Sequence, residues 1–122
     1  MSSQPYHELI VWKEAHEFTL QIYQLTETFP KHELYGVISQ LRRAAVSVST
    51  NIVEGYAKQS KLDFLRYLNI SEGSIKECAY LLELSRDLRY LEHDRYETIE
   101  SFRSKVNYLL KRLKTGVKDR TV

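Results

Sequence analysis

The sequence predicts one all-α domain, an antiparallel up-down-up-down four-helix bundle that spans residues 1–122. The chain has 122 residues, of which 43% are hydrophobic and 28% are charged, as in an ordinary globular domain. Only four glycines and two prolines are present, so little of the chain is available for loops. Apolar residues recur at alternating steps of three and four in four successive segments, which is the spacing of helices in a bundle.

The first predicted helix runs from residue 9 to residue 29. Its apolar stripe follows the bundle spacing throughout and consists of Val11, Ala15, Phe18, Ile22, Leu25 and Phe29. Pro30 ends this helix, because the residue before a proline disfavours the α conformation.

The second predicted helix, residues 33–56, carries two neighbouring stripes. The apolar stripe contains Leu34, Ile38, Leu41, Ala45, Val48, Ile52 and Gly55. The stripe beside it is small and polar and contains Val37, Gln40, Ala44, Ser47, Asn51 and Glu54. Solvated helix faces favour Lys and Glu, so we expect this second stripe to be at least partly buried. Gly55 and the polar run that follows it end the helix.

The third predicted helix, residues 61–91, begins with Ser60 as its cap and Asp63 as the partner in a capping box. It carries two apolar stripes, which predict either two neighbouring helices or one neighbour and a subunit interface. Gly73 lies in mid-helix, where glycine costs up to about 1 kcal/mol relative to alanine. Close packing of another helix is the simplest reason for that glycine, and a kink in the helix is the alternative.

The fourth predicted helix, residues 94–114, begins with Asp94 as its cap and Glu97 as the box partner. Its apolar residues continue the same spacing. A flexible basic tail over residues 115–122 is expected to follow it. Connections of about three to six residues make consecutive helices antiparallel neighbours.

The histidines and the cysteine do not form a recognisable metal or catalytic site. Di-metal sites in bundles need Glu three residues before His, whereas Gln4, Lys13, Phe29 and Tyr90 precede the four histidines at that spacing. Cys78 is the only cysteine, which excludes an internal disulfide and a zinc site built on several cysteines, and we expect a buried, unreactive thiol. No phosphate-binding glycine motif is present. The sequence therefore predicts no cofactor and no metal, and it favours a protein that is not an enzyme.

The chain shows neither a secretory signal pattern nor a run of 18 apolar residues, so we expect a cytoplasmic protein that does not enter membranes. Its formal net charge is +2, but the charge is unevenly distributed. Residues 1–34 hold two lysines and five glutamates, whereas residues 105–120 hold six basic side chains and one aspartate. Such a basic segment either attracts phosphates or complements the dipole of a helix end.

Two sets of residues are candidates for function. The first set would fix helix register and subunit assembly, and consists of Gln40, Ser47, Asn51, Glu54, Gly55, Gly73 and Glu77. The second set would bind nucleic acid, and consists of Arg42, Arg43, Lys105, Lys111, Arg112, Lys114, Lys118 and Arg120. Nine tyrosines against four phenylalanines suit half-buried interfaces, and the same side chain also stacks on unpaired bases.

Several short motifs in fixed order resemble the four-helix bundle family related to the 23S ribosomal RNA intervening-sequence protein. The matching residues are Glu8–Trp12, Tyr23, Thr26, Phe29, Pro30, Glu33, Tyr35, Gly36, Gln40, Arg42–Ala45, Ser47, Asn51, Ile52, Glu54, Gly55, Gly73, Ser74 and Glu77. The resemblance implies a homo-oligomeric ring, a pentamer. It extends to the accessory variability determinant proteins of diversity-generating retroelements, which are similar pentamers that bind a reverse transcriptase and nucleic acid.

Three functions remain open at this point. The first is a non-enzymatic oligomer that binds RNA, DNA or a nucleoprotein partner. The second is a scaffold that binds itself or another protein and no nucleic acid. The third is an enzyme in which Glu54, Glu72 and Glu77 act as acid–base groups, for which pKa values shifted towards neutrality would be evidence. A continuous positive surface would favour the first function, and salt-bridged arginines would favour the second.

Overall fold

The computed structural model describes residues 5–119, and all of the regular structure in that range is helical, which confirms the predicted fold class. Its long helices are α1 (Ile10–Thr26), α2 (Val37–Tyr56), α3 (Lys61–Asp87) and α4 (His93–Lys118). Short 3-10 helices at Pro5–Glu8 and Lys31–Glu33 precede α1 and α2. Buried residues from all four long helices form one core cluster. Over the described range, no helix is long and apolar enough to cross a membrane.

The four helices occupy the corners of a square. Helices α1 and α3 each contact both α2 and α4, whereas the described residues of the diagonal pairs make no close contact. Helix α1 contacts α2 through Thr19 with Ser49 and Thr26 with Arg42, and α2 contacts α3 through Ser47 with Ser74 and Val48 with Ser71. Helix α3 contacts α4 through Glu72 with Lys114 and Arg86 with Tyr96, and α1 contacts α4 through Glu14 with Lys105 and Phe18 with Phe102. In each pair of touching helices the numbers rise along one helix as they fall along the other. Neighbouring helices are therefore antiparallel, and α2 lies diagonally opposite α4.

The connection between α1 and α2 is longer than the sequence predicts. Helix α1 ends at Thr26 rather than at residue 29, and α2 begins at Val37 rather than at residue 33. Leu34 was expected in the apolar stripe of α2, but it is 48% exposed, because it lies in the turn before the helix rather than on its buried face. Phe29 is buried in the core as predicted, although it lies in a turn rather than in the helix. Its backbone amide donates to the Thr26 carbonyl and closes that turn.

Glu33 links the α1–α2 connection to the α3–α4 connection at one end of the bundle. Its Oε1 accepts a hydrogen bond from the Val37 amide at the start of α2 (3.3 Å), and its Oε2 accepts one from the Tyr90 hydroxyl (2.7 Å). A Cβ at Gly36 would collide with the Glu33 carboxylate, so a glycine at that position keeps the carboxylate in place. The Tyr90 hydroxyl and then the Val37 amide hold the pKa of Glu33 below its ordinary value of 4.5.

The ends of α3 and α4 also differ from prediction. The Ser60 hydroxyl accepts the Asp63 amide, which confirms the cap, but α3 ends at Asp87 rather than at residue 91. Arg89 follows with a positive φ of 67°, and the Tyr90 amide bonds back to the Ser85 carbonyl, a Schellman termination.

Helix α4 has Glu92 as its N-cap, so the assignment of Asp94 as the cap is wrong. Asp94 lies in the first turn, where a carboxylate still complements the helix dipole. At the other end, the helix continues to Lys118, so residues 115–118 are not the flexible tail that we expected. The side chain of Val117 is only 1% exposed, and burying it favours the extra turn. Residues 120–122 of that tail lie outside the described range.

Helices α2 and α3 pack closely around Gly55. A Cβ at this position would lie 2.8 Å from the Tyr67 Cβ and 3.1 Å from Phe64 Cδ1, so alanine does not fit without movement of α3. The Ser71 hydroxyl donates to the Val48 carbonyl across the same interface (2.8 Å). Gly55 therefore permits the close approach of α3 to α2. The close packing predicted at Gly73 is absent within one chain, because that glycine is exposed and a Cβ there would contact nothing within 4 Å.

We predict that Gly55→Ala destabilises the fold and that Gly116→Ala does not. Gly116 is also helical and exposed, and its Cβ would contact nothing, so alanine there gains up to about 1 kcal/mol of helix propensity. At Gly55 overpacking costs about 1–3 kcal/mol, which exceeds that gain. Urea unfolding followed by circular dichroism measures both changes. A Gly55→Ala protein that is as stable as the Gly116→Ala protein would contradict the close packing.

We predict that Tyr90→Phe lowers the urea midpoint most near neutral pH. A carboxylate whose pKa is lowered by folding stabilises the fold above its unfolded pKa and loses that contribution as the pH falls through the folded value. The difference from wild type should therefore shrink as the pH falls below 4.5, the ordinary pKa of Glu33. Tyr35→Phe is the matched control, because the Tyr35 side chain is 94% exposed. A wild-type-to-Tyr90→Phe difference that stays constant down to about pH 3 would argue against the Glu33 contact.

Candidate assembly and nucleic-acid surfaces

The second stripe of α2 lies at the groove between α2 and α3 and is partly buried, with Val37 and Ala44 in the core. Ser47 and Asn51 are half-buried, as expected, whereas Gln40 and Glu54 are exposed. The Ser47 and Ser74 hydroxyls are 2.7 Å apart across the groove, and the side-chain amide of Asn51 donates to the Ser47 backbone carbonyl (2.8 Å). Ser47 and Asn51 fix the register of α2 against α3, whereas Gln40 and Glu54 face solvent.

The outer side of α3 continues this surface. Ile70, Gly73, Glu77 and Tyr80 follow each other at steps of three and four, so they form one row on the helix. Ile70 is 48% and Tyr80 60% exposed, so two large apolar side chains of this row face solvent. We call the combined surface the α2–α3 face, and its members are Gln40, Arg43, Ser47, Asn51, Glu54, Ile70, Gly73, Ser74, Glu77 and Tyr80.

Opposite charges border the groove of the α2–α3 face without pairing. The groove holds about 380 Å³ and is lined by Gln40, Arg43, Ala44, Ser47, Ser74 and Glu77. Arg43 and Glu77 are both exposed, and neither forms a hydrogen bond or an ion pair with a described residue. The two charges are therefore available to a partner that covers the groove.

Arg42, the neighbour of Arg43, is engaged within the chain. Its Nε donates to Thr26 Oγ1 (2.8 Å) and its Nη2 to the Tyr23 carbonyl (3.2 Å). The guanidinium also lies over the Tyr23 ring, 4.6 Å from the ring centre. This arginine connects α1 to α2, which favours a structural role over contact with a phosphate.

Two of the predicted α4 cations are also paired. Lys105 contacts Glu14 of α1 (3.1 Å), and Lys114 contacts Glu72 of α3 (2.9 Å). The Lys114 and Glu72 side chains are 16% and 18% exposed, so this pair lies mostly inside the α3–α4 interface. Three other predicted cations, Lys111, Arg112 and Lys118, are exposed on α4. The last predicted cation, Arg120, lies outside the described residues.

The predicted nucleic-acid residues do not form one surface. Arg42 and Arg43 are on α2, the lysines are on α4, and these helices stand at opposite corners of the bundle. The sequence places Arg42 and Arg43 on the second helix and the other cations on the fourth helix and the tail after it. The diagonal separation of α2 from α4 follows from the packing of α1 and α3 between them.

The carboxylates proposed for catalysis lack the expected environment. The hydrogen bond from Lys114 lowers the pKa of Glu72, with smaller contributions from the charges of Lys114, Lys76 and Lys111. That direction is opposite to the shift expected of a general acid at neutral pH. Glu54 and Glu77 are exposed. In the part of the chain that the structure describes, no three His, Cys, Asp or Glu residues are grouped to hold a metal ion.

Cys78 is buried, and burial raises the pKa of its thiol to about 12. The thiolate is therefore scarce at neutral pH, which confirms the expected buried, unreactive cysteine.

Two residues that sequence reasoning missed join the α4 cations. The Lys61 ammonium, from the start of α3, donates to the Lys118 carbonyl (3.0 Å). The Tyr108 side chain is 58% exposed and lies under Arg112, whose guanidinium carbon is 5.9 Å from the ring centre. Tyr108 precedes Lys111 and Arg112 by one helical turn, a pattern visible in the sequence, whereas the approach of Lys61 depends on the fold.

Comparison with known proteins places this fold in a family. The family model described as 23S rRNA-intervening sequence protein matches residues 7–113. None of the curated proteins compared with the chain matches it significantly. A similar solved structure is a protein of unknown function from the S23 ribosomal protein family of Bacteroides thetaiotaomicron, with 28% identity and a TM-score of 0.78. The alignment covers 86% of this chain and 98% of that one. The chain belongs to the 23S rRNA-intervening sequence protein family.

Proposed function

We propose that this protein is a non-enzymatic assembly module that forms a homo-oligomer through its α2–α3 face. The observation that carries the proposal is the row Ile70, Gly73, Glu77 and Tyr80, which leaves two large apolar side chains and an open glycine facing solvent in a single chain. An exposed apolar row beside a polar groove is typical of a protein–protein contact. The family resemblance implies a ring of five copies.

The unpaired charges support another copy of the chain as the partner. Arg43 and Glu77 line the same groove, so each copy offers one basic and one acidic side chain at the same surface. Two copies, or successive copies in a ring, can pair these charges with each other. Assembly would also explain Gly73, because the cost of a mid-helix glycine, up to about 1 kcal/mol, is offset if another helix packs there.

The contacts at the α2–α3 face favour an assembly module over nucleic-acid binding and over catalysis. Arg42 is held by Thr26 and Tyr23, so only Arg43 of the predicted α2 pair is available to a phosphate. The carboxylate hypothesis has no support from the pKa of Glu72, which is lowered.

We predict that Gly73→Gln dissociates the oligomer without damaging the helix. Glutamine is a better helix former than glycine and meets nothing within one chain at this position, so the protomer keeps its stability or gains up to about 1 kcal/mol. Gly116→Gln is the matched control, because it places the same side chain at another exposed helical glycine. Size-exclusion chromatography with light scattering measures the mass, which is 14.4 kDa for one chain.

The expected result is a multiple of the chain mass for the wild type and the control, and a smaller species for Gly73→Gln. Circular dichroism of each variant confirms that the helices remain. A monomeric wild type would overturn the proposal. An oligomeric Gly73→Gln protein of unchanged mass would show that the α2–α3 face is not the contact.

A further inference from the structure

Exposed cations lie on α3 and α4, outside the α2 groove. Lys111, Arg112 and Lys118 are exposed on α4, and Lys61 and Lys76 are exposed on α3. Lys61 reaches the last turn of α4 through its bond to the Lys118 carbonyl. We call these five cations together with Tyr108 the α3–α4 strip.

Acidic groups near the strip are outnumbered. Glu72 lies between α3 and α4 and is already bonded to Lys114. Lys76 and Lys111 lie close enough to it to lower its pKa further, so three ammonium groups surround one carboxylate. Asp119 is a second acid, beside Lys111 and Arg112 in the groove around Tyr108. The local excess of positive charge attracts polyanions.

Tyr108 makes the strip different from a simple basic patch. Its ring is more than half exposed on α4, one turn before Lys111 and Arg112. The groove beside it holds about 500 Å³ and is lined by Lys111, Arg112, Thr115, Gly116 and Asp119. An exposed ring flanked by cations one turn away can stack on an unpaired base while the cations contact the adjacent phosphates.

We propose that the α3–α4 strip binds single-stranded RNA, with Tyr108 stacking on a base and Lys111 and Arg112 contacting phosphates. In a duplex the bases are stacked on each other, so the Tyr108 ring cannot reach their faces. A single strand can contact both the ring and the neighbouring cations. Tyr108, Lys111 and Arg112 are on α4 and lie outside the α2–α3 face, whereas Lys76 of the strip neighbours Gly73 and Tyr80 on α3. The proposal holds for a monomer or an oligomer. In an oligomer several strips would act on one strand, and weak contacts would add through avidity.

The test is fluorescence anisotropy with a labelled oligouridine of about 20 nucleotides, titrated from 50 mM salt upwards. We expect Tyr108→Ala to weaken binding about tenfold, which is the scale of one lost stacking contact. We expect the double variant Lys111→Gln/Arg112→Gln to reduce the slope of log affinity against log salt by about 1.4, or 0.7 for each phosphate contact.

Matched controls lie at the other end of the bundle. Tyr35→Ala removes a fully exposed tyrosine, and Lys31→Gln/Arg89→Gln removes two exposed cations. These controls should bind as the wild type does. Light scattering on every variant separates a loss of RNA binding from a loss of assembly.

Three results would overturn the proposal. The first is no binding by the wild type at 50 mM salt. The second is an equal loss in the controls, which would place the site elsewhere. The third is unchanged affinity of Tyr108→Ala together with equal competition by heparin, because the surface would then attract any polyanion through charge alone.

Discussion

The contact between α2 and α3 at Gly55 and Ser71 is the constraint on which the rest of the structure depends. The absence of a side chain at Gly55 lets Tyr67 and Phe64 approach the α2 backbone, and the Ser71 hydroxyl bonds the Val48 carbonyl. These contacts fix both the distance and the register of the two helices, since a shifted helix would leave a buried hydroxyl unpaired. With that register set, the polar residues of α2 come to the edge of the groove instead of the core.

The same packing separates the two surfaces that we propose for function. Because α1 and α3 lie between α2 and α4, the open polar groove and the lysines of α4 face different directions. Contacts within the chain also sort the cations: Arg42 and Lys114 hold helices together, while Lys111 and Arg112 are exposed. One bundle can therefore present a surface for its own copies and a second surface for a polyanion without competition between them.

The sequence predicts the helices well because each buries a stripe with a regular period. Its errors lie where a local pattern competes with tertiary contacts. Leu34 fits the period of α2, but the Glu33 carboxylate starts the helix later, at Val37. The burial of Val117 extends α4 through a segment whose charge alone indicates a tail. Helical periodicity places the polar stripe but does not say whether another chain covers it, and the approach of Lys61 to α4 joins residues 57 positions apart.

Hydroxyl-radical footprinting with mass spectrometry tests the division into two surfaces most directly. Tyr80 on the α2–α3 face and Tyr108 on the α3–α4 strip have nearly equal exposure in a single chain, 60% and 58%, so they report on the two surfaces in one experiment. Our account predicts that the assembled protein modifies slowly at Tyr80 with or without RNA, and rapidly at Tyr108 until single-stranded RNA is added. Equal, rapid modification of both tyrosines under both conditions would contradict it.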